Sequence, residues 1–106
     1  EDISELRKQI DSIDNDLIEL LSKRMRVCRE IGQFKKEHGM TVLQTKRYSE
    51  IIDKRGAQGS LCGISSTCIS NIFEAIHEES IRQQIEVINS WNHIHSTHIK
   101  HKRQNG

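Results

Sequence analysis

The chain has 106 residues, of which 34% are hydrophobic. Glycine raises that share to about 40%, below the roughly 45–50% of typical globular usage by that broader count. With 16 basic against 15 acidic residues, no global charge draws it to nucleic acid or to an anionic membrane. No apolar run approaches the length of a membrane span, and the charged N-terminus is not a signal sequence. Cys28, Cys62 and Cys68 are an odd set without a Cys-x-x-Cys pair, which argues for reduced thiols in a cytoplasm.

The first element is a long helix over residues 1–38. Asp2 and Ser4 are acceptable N-caps, and Asp2 with Glu5 has capping-box spacing. Ile3, Leu6, Ile10, Ile13, Leu17, Leu20, Leu21, Cys28 and Ile31 then recur in steps of three or four, one apolar stripe. Gly39 is the expected stop. At about 1.5 Å per residue such a helix is too long for a compact monomer of this size. It needs a partner along its length.

A connection over 40–46 leads to a second helix, expected from about 46 to 55 with Thr45 as its cap. Tyr48, Ile51 and Ile52 share one side of it. Gly56 should end it, and residues 56–64 read as a small, glycine-rich loop. No strand precedes these glycines, so they make no phosphate loop. A third helix should start at Ser65 or Ser66 and reach about Trp91, with Ile69, Ile72, Phe73, Ile76, Val87 and Trp91 as its stripe. These elements form one all-α domain over 1–91. Residues 92–106 hold His93, His95, His98 and His101 with Lys100, Lys102 and Arg103 and no acid. They read as a disordered basic tail whose histidine spacing fits no zinc site.

The informative residues are polar ones on buried stripes. At about 100° per residue, Arg24 and Lys35 both fall at the middle of the first stripe. They are three turns apart, about 16 Å, and project the same way. Arg7 lies on the flank. On the third helix Ser80 and Gln84 interrupt the run framed by Ile76 and Val87. Such cations can snorkel or pair in a helical seam. A buried unpaired cation costs several kcal/mol, and the acids of the first helix lie away from the stripe. A small anionic ligand enclosed among helices is the sharper inference.

These residues resemble the all-α, type II chorismate mutases. The likeness runs from Ile3 to Gln84. It is carried by the segments 6–14 (LRKQIDSID), 20–24 (LLSKR) and 31–35 (IGQFK), by Arg47, and by 79–84 (ESIRQQ). No single piece decides it; the ordered set of Arg, Arg, Lys, Arg, Ser and Gln does. The resemblance implies three-helix protomers intertwined into a six-helix homodimer through their long first helices. It implies rearrangement of chorismate to prephenate, in aromatic amino-acid biosynthesis, without metal or cofactor. Arg7 would reach in from the partner copy and hold substrate carboxylates with Arg24 and Arg47. Lys35 would meet the ether oxygen, Gln84 would donate a second hydrogen bond there, and Ser80 would offer a hydroxyl to a carboxylate. Family members often carry acids where Gln44 and Tyr48 stand here, so those two are the candidates for the substrate hydroxyl. With Gln84 rather than a glutamate, turnover should vary little between about pH 5 and 8. Relatives are often fused to other enzymes of the pathway, and the absence of an initial methionine suggests an excised domain. The rival readings are an isochorismate pyruvate lyase on the same scaffold and a non-catalytic helical dimerisation or regulatory domain. Nucleic-acid binding through the tail has little support.

Overall fold

The computed structural model describes the backbone of residues 2–105 and the side chains of residues 2–90. It has three helices and, among the described residues, no strand: α1 (Ile3–Glu37), α2 (Thr45–Leu61) and α3 (Ser66–Asn105). Helix α1 opens where Asp2 accepts the backbone N–H of Glu5 at 2.9 Å, satisfying one of the donors a helix start leaves bare. It closes at Gly39, whose φ of 63° is left-handed and suited to glycine. Gly39 and Met40 then donate back to the carbonyls of Lys36 and Lys35, the double bond of a Schellman turn.

Helix α2 runs further than the sequence suggests. It does not stop at Gly56 but continues through Gly59 to Leu61, and the connection shrinks to residues 62–65. The two glycines are contact surfaces. Both are buried, and a Cβ on Gly56 would lie 3.2 Å from Ser70 Oγ. A Cβ on Gly59 would collide with Ile69. Close approach of α2 to α3, not helix termination, is what these positions supply. The left-handed stop is Gly63 instead, at φ 81°. Gln44, not Thr45, holds the N-cap position of α2, and its side chain does not cap. Ser65 caps α3 by accepting the Cys68 N–H at 3.1 Å.

Met25 meets Ser80 and Gly32 meets Gln84, while Gly59 meets Ile69 and Tyr48 meets His77, so α3 runs in the same sense as α1 and opposite to α2. Helix α3 packs against both of the others. The chain is elongated, 73 × 34 × 16 Å, with a radius of gyration of 19.6 Å, against about 13 Å for a compact domain of this length. Helix α3 continues beyond Trp91. The side chains from 91 onward, and with them the expectation of a disordered tail over 92–106, lie outside the described residues.

The apolar stripe of α1 is split. Met25, Cys28 and Gly32 are buried, with α3 beside them. Ile3, Leu6, Ile10, Ile13, Leu17, Leu20 and Ile31 are exposed in the single chain, although the periodicity assigns them to a buried face. Ile72 on α3 is exposed too. Most of these exposed residues fall in the first five turns of α1. No helix among the described residues is long and apolar enough to cross a membrane.

Candidate active site

The second half of α1, the start of α2 and the middle of α3 enclose a cavity of about 310 Å³, the low end of the range for small-ligand sites. Arg24, Cys28, Ile31 and Lys35 line it from α1. Val42 and Gln44 line it from the connection, Arg47 and Ile51 from α2, and His77, Ser80, Ile81 and Gln84 from α3.

The two stripe-breaking cations meet the two stripe-breaking polar residues. Arg24 donates through Nη1 to Ser80 Oγ, and the same nitrogen lies 3.7 Å from Cys28 Sγ. The Ser80 hydroxyl donates to the Ile76 carbonyl at 2.8 Å, which leaves its oxygen to accept from Arg24. Three turns along, Lys35 Nζ donates to Gln84 Oε1 at 3.0 Å and to the Val42 carbonyl at 2.7 Å. The first of these bonds orients the amide, so the Gln84 Nε2 hydrogens are left for a ligand. Ser80 and Gln84 are each 5% exposed.

Gly32 makes this meeting possible. A Cβ there would lie 3.0 Å from the Gln84 Cα. Only glycine lets α3 come close enough to α1 for Gln84 to reach Lys35.

Among the described residues, no carboxylate pairs with Arg24 or Lys35; the ion pairs are Lys8–Glu5, Arg82–Glu79 and Arg82–Glu86, all on the outer surface. Neutral groups satisfy the hydrogen bonds of the two cations but not their charge. Burial lowers the Lys35 ammonium from its ordinary value, and the neighbouring Cys28 works the other way. A dianionic guest would supply the missing countercharge.

Of the eight residues the sequence singles out, six line this cavity: Arg24, Lys35, Gln44, Arg47, Ser80 and Gln84. Gln44 and Arg47 sit at its exposed rim. Tyr48 stands behind the wall, its ring 4.2 Å from that of His77 at 36°. Arg7 is not among the lining residues; it is exposed on α1, some five turns before Arg24. His77 is the functional candidate the sequence reading misses. It precedes Ser80 by three residues and Gln84 by seven, so it shares their face of α3. Burial comes first, then the charges of Arg24 and Lys35, in holding its imidazole below the usual histidine range; Glu78 opposes them.

Comparison with known proteins adds a family match and three relatives. The sequence profile of the family chorismate mutase type II matches residues 6–85. The T-protein of Haemophilus influenzae is 30% identical over 80 residues, covering 76% of this chain and 21% of that protein. A bifunctional chorismate mutase/prephenate dehydratase of Aquifex aeolicus is 35% identical over 54 residues, 51% of this chain and 15% of that protein. A 4-amino-4-deoxychorismate mutase of Streptomyces venezuelae is 24% identical over 81 residues, 76% of this chain and 79% of that protein. The chain spans about a fifth of the length of the T-protein it matches.

Proposed function

The chain belongs to the chorismate mutase type II family, and on that premise we propose that it rearranges chorismate to prephenate. The observation that carries the proposal is the cavity itself. Arg24 and Lys35 are half-buried there without a carboxylate, each held by a buried polar partner from α3.

The reaction is an intramolecular [3,3] shift. The ether C–O bond breaks as a C–C bond forms, with no atom gained or lost and no nucleophile required. Catalysis then comes from two sources. Arg24 and Arg47 clamp the substrate's two carboxylates in the compact conformer, which removes an entropic part of the barrier. Guanidinium groups suit this because their planar fork is bidentate to a carboxylate. Lys35 and the Gln84 amide then donate to the ether oxygen as negative charge builds on it. They are fixed in place beforehand, so little reorganisation is needed during the reaction. The Ser80 hydroxyl, held by Ile76 and Arg24, fixes the Arg24 guanidinium beside a substrate carboxylate. Gln44 at the rim is a candidate for the substrate hydroxyl.

The working form is a homodimer. The exposed apolar stripe of α1 supports a second copy lying along it, which would bring the partner's Arg7 to the mouth of each cavity. The chain serves aromatic amino-acid biosynthesis, and as part of a longer bifunctional enzyme it would hand prephenate to a fused activity.

The test is the loss of chorismate absorbance with purified protein beside the Lys35→Ala variant. Turnover that collapses in the variant supports both reaction and cavity. No turnover from a folded, associated protein overturns the reading and moves the weight to an isochorismate substrate.

A further inference from the structure

The charged residues lining the cavity are of one sign. Arg24, Lys35 and Arg47 stand there with the imidazole of His77, and no aspartate or glutamate lines it among the described residues. Two ligand carboxylates would balance much of that positive charge. Any further substituent on the ligand would meet a wall able to donate hydrogen bonds but holding no anion.

We propose that His77 is a specificity-determining residue: with the acid-free lining, it makes the site take a ring dicarboxylate bearing a hydroxyl and reject the same skeleton bearing an ammonium. This rests on the reading of the ligand given under Proposed function. A ring ammonium would lose its hydration on entry without gaining a carboxylate, and it would face like charges. A hydroxyl pays no such penalty. It can donate to one nitrogen of a neutral imidazole or accept from the other.

The surroundings of His77 define how the preference depends on pH. From α1 it faces Arg24, Cys28 and Lys35, and from α2 Arg47 and the ring of Tyr48. On its own helix the exposed Glu78 is the neighbouring acid. Burial, then the two α1 cations, lower the imidazole from the ordinary histidine value and so favour its neutral form. Acidification turns it into one more cation on the wall. The site therefore excludes an ammonium more strongly as the pH falls, while a dianion with a hydroxyl is not penalised. The likeness to a 4-amino-4-deoxychorismate mutase does not extend to that protein's aminated substrate.

The experiment compares chorismate with 4-amino-4-deoxychorismate on the full chain, as wild type, His77→Gln and His77→Glu. Both kcat/KM and the calorimetric Kd are measured at about pH 8 and in steps down to about pH 4.5, because burial and the two α1 cations hold His77 below the usual histidine range. Wild type is expected to prefer chorismate by about tenfold or more at the higher pH, since like-charge contact is costly, and by a wider margin at the lower. His77→Gln should keep the preference at the higher pH and lose its widening. His77→Glu should narrow the preference at both. Equal use of the two compounds by the wild type, or an unchanged pH profile in His77→Gln, overturns the proposal. If neither compound turns over, the mutase reading fails and the Kd ratio still decides: a preference that widens with acid supports His77, while equal binding or none overturns it. If His77→Glu does not fold, the His77→Gln profile is sufficient.

Discussion

Two stretches of the same helix differ in what covers them. In the first five turns of α1, Ile13 and Leu17 are each 53% exposed. Further along, α1 is covered, and what covers it on α3 includes a serine and a glutamine at 5% exposure. Apolar groups face solvent while polar groups are buried, the reverse of what water favours. The inversion is explained if each stretch suits a partner of a different kind. The apolar turns suit a protein surface; the polar cavity suits a charged small molecule. Area decides the first and hydrogen-bond geometry the second.

That contrast can be broken from either side. The largest effect is expected from Lys35→Ala, which should lower kcat about a thousandfold by removing a preorganised donor. Helicity and association should stay unchanged by circular dichroism and sedimentation. Ile13→Asp is the complementary cut. It places a charge on the apolar stripe and should leave a monomer in sedimentation, with activity lost because Arg7 is no longer delivered by a partner. Mixing Arg7→Ala with Lys35→Ala protomers should restore part of the activity, since one of the two sites in each mixed dimer is then whole. A persistent Ile13→Asp dimer would detach the stripe from the interface.

Gly32→Ala tests whether the cavity depends on helix spacing. The added methyl meets the Gln84 backbone, so α3 must retreat. A stability loss of about 1–3 kcal/mol is expected from overpacking. A displaced Gln84 should also lower kcat/KM about ten- to hundredfold. Gly59→Ala makes the same kind of clash with Ile69, away from the cavity. It should cost stability alone, again about 1–3 kcal/mol, read from denaturant unfolding. The smallest effect belongs to the outer surface. Hydrogen bonds from Arg82 and then Gln83 pull the Glu79 carboxyl down to about 2. The folded value lies below the unfolded one, so any stabilisation is present at neutral pH and is lost as the pH falls towards 2. Arg82→Ala should raise Glu79 towards the ordinary carboxylate range in an NMR titration, the Gln83 bond remaining, and leave turnover and the melting temperature nearly unchanged, as exposed ion pairs usually do.

Much of this was legible because helical periodicity is a strong signal. It locates α1 from Asp2 to Gly39 and picks out Arg24, Lys35, Ser80 and Gln84 as misfits on apolar stripes. It fails where one residue type serves two ends. A glycine that stops a helix and a glycine that lets two helices touch look alike in one sequence. Gly56 and Gly59 therefore read as a loop in the sequence, although the small Ser66 and Ser70 that face Gly56 are a hint of close packing. His77 escaped notice for a related reason. Histidines invite a search for metal-ligand spacing, whereas its meaning lies in its offsets from Ser80 and Gln84. Arg7 shows the remaining limit: nothing in a single chain brings it to the cavity.

The amine of Lys35 carries a last consequence. An ammonium has three N–H bonds. One is committed to the Val42 carbonyl, in the connection that follows the Gly39 turn, and one to Gln84. One proton remains. A guest therefore meets a single aimed donor rather than a freely spinning tripod, and a guest needing two would have to take the second from Gln84 or, by loosening residues 40–44, from the Val42 carbonyl. The valence of one nitrogen thus ties the occupancy of the cavity to the closure of the loop beside it.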